Sequence, residues 1–157
     1  MNSALLGIGA TAVTDLWAIA RRRWLGVPAP DFGLVGRWIA HMPRGRFRHE
    51  RIAAAAAVRG ERVAGWTAHY LIGIAFAALL LAMAGMDWMR RPTIWPALLF
   101  GLLTVLAPFL LMQPGMGAGI AASRTPRPGA ARLQSLITHA FFGLGLYASA
   151  VVVSSLP

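Results

Sequence analysis

Among the polar side chains that interrupt the apolar runs of this sequence, Asp15, His69, Gln113 and His139 carry the most chemistry. A carboxylate and two imidazoles can do several kinds of chemistry. They can clamp neighbouring helices by hydrogen bonds. They can pass protons or hold a ligand, because histidine changes charge near neutral pH. Two histidines with one carboxylate can also ligate iron or zinc. Their positions relative to arginine argue for a common depth. His69 follows Arg62 by seven residues, His139 follows Arg132 by seven, and Asp15 precedes Arg21 by six. At a helical rise of about 1.5 Å per residue, all three lie roughly 9–11 Å inside an interface marked by those arginines. Gln113 closes its run on the same side, somewhat shallower. Ionisable groups at membrane depth are costly and usually face one another inside a bundle. A shared polar pocket of Asp15, His69, Gln113 and His139 is therefore expected, and the three uses remain open. In the metal or haem reading, His69 and His139 are the ligands.

A second group is basic. All fifteen Lys-plus-Arg positions are arginine, and ten of them lie between Arg21 and Arg62. Guanidinium groups favour bidentate contacts with phosphate or carboxylate. Arg37, Arg44, Arg46, Arg48 and Arg51 are the candidates for an anion or a lipid headgroup. Arg124 and Arg127 join them, because Gly115, Gly117 and Gly119 are followed by Ser123, Arg124, Thr125 and Arg127, a set of hydroxyl and guanidinium donors. Together the two segments can make a phosphate-sized anion site. A solvated, positively charged loop is the plainer reading of the same residues.

The elements that must position these groups follow from apolar run lengths. Runs of about 20 residues cross a hydrocarbon core of about 30 Å. Four are expected, as helices over about 3–20, 63–86, 93–112 and 131–156, with loops at 21–62 and 113–130. Pro108 should disturb the third. In the first loop, Asp31 can cap a short helix from Phe32 to Met42, with Leu34, Val35, Trp38, Ile39 and Met42 on one face and Arg37 and His41 on another. Ala53 to Ala57 is expected to lead helically into the second span. Gly65, His69, Gly73 and Ala77 form a stripe that permits close helix contact, and the second and fourth helices share a His-x-x-x-Gly pattern at His69–Gly73 and His139–Gly143. The expected fold class is all-α: one integral membrane domain over 1–157, a bundle of four transmembrane helices with a short interfacial helix in the first cytoplasmic loop.

Composition bounds the function. The chain is 57% hydrophobic and 13% charged, with a net charge of +10 and no cysteine. Such charge beside membrane-length runs points to anionic headgroups of the bilayer and away from nucleic acid. The absence of cysteine excludes disulfides and thiolate metal sites. Arginine stays on the cytoplasmic side because its transfer is costly. Both loops are therefore expected inside, with the termini and Asp87-Trp88-Met89-Arg90-Arg91 outside. The run from Ala4 to Ala20 begins with Met1-Asn2-Ser3 and ends in three arginines, the reverse of a signal peptide.

Several segments carry a resemblance: Asp15-Leu16-Trp17, Gly36-Arg37-Trp38, Arg44-Gly45-Arg46-Phe47-Arg48-His49, Val58-Arg59-Gly60-Glu61, Met112-Gln113-Pro114-Gly115-Met116-Gly117-Ala118-Gly119 and Ala122-Ser123-Arg124-Thr125-Pro126-Arg127-Pro128. With these the chain resembles a bacterial inner-membrane family, domain-of-unknown-function family 2938. The resemblance implies a small multi-helix membrane protein with no established activity, and it carries over no catalytic residue. No nucleophile–base pair, carboxylate pair or nucleotide loop stands out. The expectation is a non-enzymatic inner-membrane protein that binds or translocates a small anionic or amphipathic ligand, with a haem or divalent-metal redox protein and a purely structural one as alternatives. A homo-oligomer remains open.

Overall fold

The computed structural model describes residues 2–155. The expected end of the fourth helix at Leu156 lies outside the described residues. The chain is all-helical, and no strand occurs among those residues. In order come α1 (Asn2–Leu25), α2 (Phe32–His41), α3 (Glu61–Arg90), α4 (Ile94–Leu103), the short α5 (Gln113–Met116) and α6 (Pro128–Ser154). Single 3₁₀ turns occupy Met42–Arg44, Ile52–Ala54 and Ile120–Ala122, and a π-helical turn covers Pro108–Met112. Among the described residues, four stretches are long and apolar enough to cross a membrane: Asn2–Leu25, Glu61–Arg90, Ile94–Met116 and Pro128–Ser154.

The chain forms two compact units. One gathers the residues up to Ala29, Tyr70–Thr104 and the residues from Leu136 onward; the other gathers Pro30–His69 and Val105–Ser135. The first unit is held by close helix contact. Leu6, Ala10, Ala77, Leu80, Ala97, Phe100, Phe142, Leu146 and Ala150 make its core. Small residues set the spacing: a methyl on Gly7 would strike the backbone of Ile74, and one on Gly101 would strike Gly143. Without a hydrophobic drive between helices in lipid, such contact supplies the packing. Trp17 stacks on Phe141 with ring centroids 4.2 Å apart.

Several boundaries differ from expectation. α1 runs on through Arg21, Arg22 and Arg23, because arginine is a good helix former and nothing stops the helix before Gly26, whose φ is 64°. Arg21 is buried there and donates to the Pro28 carbonyl at 3.1 Å. α3 passes Met86, but Gly85 leaves helical geometry at φ 80°. The chain turns there, so the expected loop Asp87–Arg91 is largely helical, and Trp88 and Met89 are buried. Pro108 has no N–H for the carbonyl four residues before it, and its ring crowds that turn. The helix is interrupted at Thr104-Val105 and passes into the π turn, where the Gln113 N–H bonds the Pro108 carbonyl.

The largest departure is Ala53 to Ala57. Alanine has the highest helix propensity, yet only a 3₁₀ turn at Ile52–Ala54 forms and Ala55 is extended. The carbonyls of Ile52, Ala53 and Ala55 point to the Arg37 guanidinium, at 3.4, 3.3 and 3.1 Å. A helix would turn those carbonyls along its axis. Gly60, at φ 82°, then reverses the chain into α3.

In the second unit, α2 begins at Asp31, whose side chain accepts from the Gly33 N–H at 2.9 Å. Its glycine face meets the start of α3. Gly65, expected to contact another spanning helix, instead abuts the Phe32 carbonyl group, and Gly36 abuts Glu61 and Gly65. A Cβ on Gly36 would lie 2.6 Å from the Gly65 nitrogen. Gly36→Ala is therefore expected to cost about 1–3 kcal/mol, the usual range for overpacking. Gly129→Ala, with open space around it, should be near neutral. Unfolding of the two variants in detergent checks this; equal midpoints would refute the close contact.

Candidate functional site

The strongest concentration of polar chemistry is in the second unit, where two loops converge. After α2, the 3₁₀ turn at Met42–Arg44 ends in Gly45, which takes a left-handed φ of 74° and sends the chain back. The Arg46 N–H returns to the His41 carbonyl at 3.3 Å, and the Trp38 indole N–H to the Phe47 carbonyl at 2.9 Å. This brings His49 against His41, with Nδ1 of His41 2.8 Å from Nε2 of His49. His41 is buried. The second loop meets the first through backbone. The His49 N–H donates to the Gly115 carbonyl at 2.9 Å. Gly117, at φ 95°, leaves room for the Glu50 carbonyl, which a side chain would strike.

Beyond Gly117 the backbone is tightly bent. The Ala118 N–H bonds the Gln113 carbonyl and the Arg124 N–H bonds the Ala118 carbonyl, both at 2.8 Å. Ala121 and Ala122 both have positive φ, 47° and 58°. Left-handed alanine costs about 1–2 kcal/mol per residue. The Arg132 guanidinium and the Thr125 hydroxyl hold this turn by donating to the Ala121 and Ala122 carbonyls, each at 2.8 Å.

A cleft of about 480 Å³ opens between the two loops, lined by Arg48, His49, Glu50, Pro114, Gly119, Ile120, Ser123 and Arg124. A second cleft of about 450 Å³, with Arg51 in its wall, lies on the other side of His49 and Glu50. Arg48, Arg124 and Ser123 line the first opening, and guanidinium and hydroxyl donors of that kind can bind an oxyanion.

The expected anion residues thus have different surroundings. Arg48 and Arg124 share a cleft, and Arg51 lines the neighbouring one. Arg44, Arg46 and Arg127 are exposed and outside both walls. Arg37 spends its donors inside the protein. Its Nε and Nη2 donate to Glu61 Oε2 and Oε1 at 2.8 and 2.7 Å, and Nη1 donates to the three loop carbonyls. The Glu61 hydrogen bonds hold the Arg37 guanidinium above its ordinary range.

The four polar-pocket residues are described within their own units. In the first, Asp15 accepts from the Tyr70 phenol at 2.9 Å, and His139 Nδ1 bonds the Thr104 hydroxyl at 2.8 Å. In the second, His69 stacks on Phe32 with centroids 4.1 Å apart and meets the edge of Trp66. Gln113 Oε1 is buried without a hydrogen-bond partner among the described residues. No group of three His, Cys, Asp or Glu able to hold a metal ion occurs among those residues. Sequence reasoning missed Tyr70, Thr104 and the His41–His49 pair. The Pro43–Gly45 turn signal was the clue to the last, since a reversal there returns His49 to the end of α2.

Arg37 makes a test of this architecture available. Arg37→Gln keeps a polar side chain but cannot reach Glu61 and three carbonyls together. Trypsin cleavage after Arg51 and Arg59 is expected to accelerate severalfold, and an unchanged rate would show that the loop is held by something else.

No curated protein and no solved structure matches the chain. Residues 4–153 match a family described as protein of unknown function, DUF2938. Since that match spans nearly the whole sequence, and the four membrane-length helices fit a membrane family, the chain belongs to the DUF2938 family.

Proposed function

We propose that this protein is a multi-pass protein of a bacterial inner membrane that binds a small anionic or amphipathic ligand without catalysis. The observation that carries the reading is the cleft in which Arg48 and Arg124 converge with Ser123 and His49. Ile120 is 61% exposed at its wall and Phe47, beside Arg48, is 60% exposed. An anionic group is thus offered cations, and an attached apolar chain is offered apolar contact. The arginine distribution supports a cytoplasmic location for both loops, with both termini outside. Anionic headgroups of the inner leaflet are then the first ligands the cleft meets.

Binding of a short-chain anionic phospholipid to the full chain in detergent, followed by titration calorimetry, tests the reading. Dihexanoyl phosphatidylglycerol is expected to bind more tightly than the phosphatidylcholine. Arg48→Gln with Arg124→Gln should erase the preference, at about 1 kcal/mol per arginine. Equal affinity of the native protein for the two lipids would defeat the proposal. Orientation is checked separately by reporter fusions: one after residue 157 should be active only outside the cytoplasm, and cytoplasmic activity would reverse the topology.

A further inference from the structure

The cleft wall has a feature that the arginines do not explain. His41 and His49 are joined nitrogen to nitrogen, and His49 lines the cleft. Its Nδ1 is buried and has no hydrogen-bond partner among the described residues. Proton counting fixes what the pair can do. Two neutral imidazoles carry two N–H groups on four nitrogens. One bridges the rings, so a single further proton is left for either His41 Nε2 or His49 Nδ1. When the pair takes up one proton, the bridge survives and both outer nitrogens become donors. Uptake of another would set two cations 2.8 Å apart, which their repulsion opposes. Geometry and proton counting thus leave the pair two compatible states, neutral and singly charged.

The charged groups around the pair include Arg51, which lines the second cleft with His49. Towards the cleft stand Arg48, Glu50 and Arg124. On the α2 side are Glu61, close enough to feel His41, and its partner Arg37; the Arg46 N–H touches the His41 carbonyl. Arg37 and Glu61 offset one another. The cleft itself then presents two cations and one carboxylate, a net charge of +1 with the histidines neutral. A phosphodiester monoanion matches that charge. A phosphate monoester, nearer to −2 at neutral pH, exceeds it.

We propose that this cleft is a phosphodiester site whose affinity rises when the His41–His49 pair takes up one proton. The inference rests on the anion-binding reading above and adds the ligand class and its proton linkage. Protonation adds one positive charge beside the bound diester. Histidine ordinarily changes charge between pH 5 and 8, whereas a phosphodiester keeps a single charge over that range. A unit charge about 7 Å away, in a dielectric between those of protein surface and water, changes anion affinity by about five- to tenfold.

The test uses the full chain in detergent, titrated at pH 5.5 and pH 8.0 with dihexanoyl phosphatidylglycerol, glycerophosphoglycerol and inorganic phosphate. The expected result is phosphatidylglycerol binding about five- to tenfold tighter at pH 5.5, with His41→Gln plus His49→Gln abolishing the difference. Chain-free glycerophosphoglycerol showing the same pH ratio would identify a soluble diester as sufficient; binding by the lipid alone would identify a headgroup site. Should the double variant fail to fold, the native pH ratio still decides. Equal affinity at both pH values in the native protein, with the arginine dependence intact, overturns the proton linkage and leaves the anion site standing. Tighter binding of inorganic phosphate than of either diester overturns the ligand class. No binding of any probe at either pH overturns both readings.

Discussion

The second unit depends on the fork of Arg37 on Glu61. One guanidinium makes two charge-assisted bonds to a carboxylate and three more to loop carbonyls. The side chains are mostly withdrawn from solvent, at 13% and 21% exposure. Glu61 also accepts from the Val58 N–H at 2.9 Å. This single constellation joins α2, the alanine-rich loop and the first residue of α3. It explains why five consecutive alanines fail to make a helix. A loop carbonyl that would otherwise face water or a helix axis gains a charged donor, worth roughly twice a neutral one. Arginine suits the task because its five donors lie in one rigid plane.

The site is built on backbone more than on side chains. Gly45 and Gly117 use left-handed geometry, and the His49–Gly115 bond closes one loop on the other. Ala121 and Ala122 accept the same geometry with a penalty. Strain of this kind persists where surroundings over-determine the conformation, and it gathers at functional sites. Here the surroundings are the Arg132 and Thr125 donors. The side chain of Arg124 then stands on a backbone that is bent and held.

Much of this was readable from the residues, and the rest was not, for physical reasons. The four membrane-length helices follow from run length, and the α2 cap from Asp31. The membrane family was identified from motifs scattered over the chain. What failed was local propensity where a distant group intervened: Ala53 to Ala57 obeyed Arg37. Gly65 has the spacing of a spanning-helix contact but meets α2, because spacing identifies a small-residue face and not its partner. Arg48 and Arg124 were singled out by type as candidates for an anion site. Their sharing of one cleft depends on two left-handed glycines and an inter-loop hydrogen bond, which no periodicity encodes. The His41–His49 bond was hidden because one ring belongs to a helix face and the other to a basic loop.

The π turn at Pro108–Met112 makes segment length itself an encoded property. A π turn closes its hydrogen bond one residue later than an α turn, as the Gln113–Pro108 bond shows. Remove one residue there and the turn can close as plain α-helix, its hydrogen bond one residue earlier, with the later residues kept near their present orientation. Gly115 then still presents its carbonyl to His49. A homologous chain one residue shorter in this turn can therefore keep the junction of the two loops, whereas a change of length between Met112 and Gly115 has no such turn to absorb it.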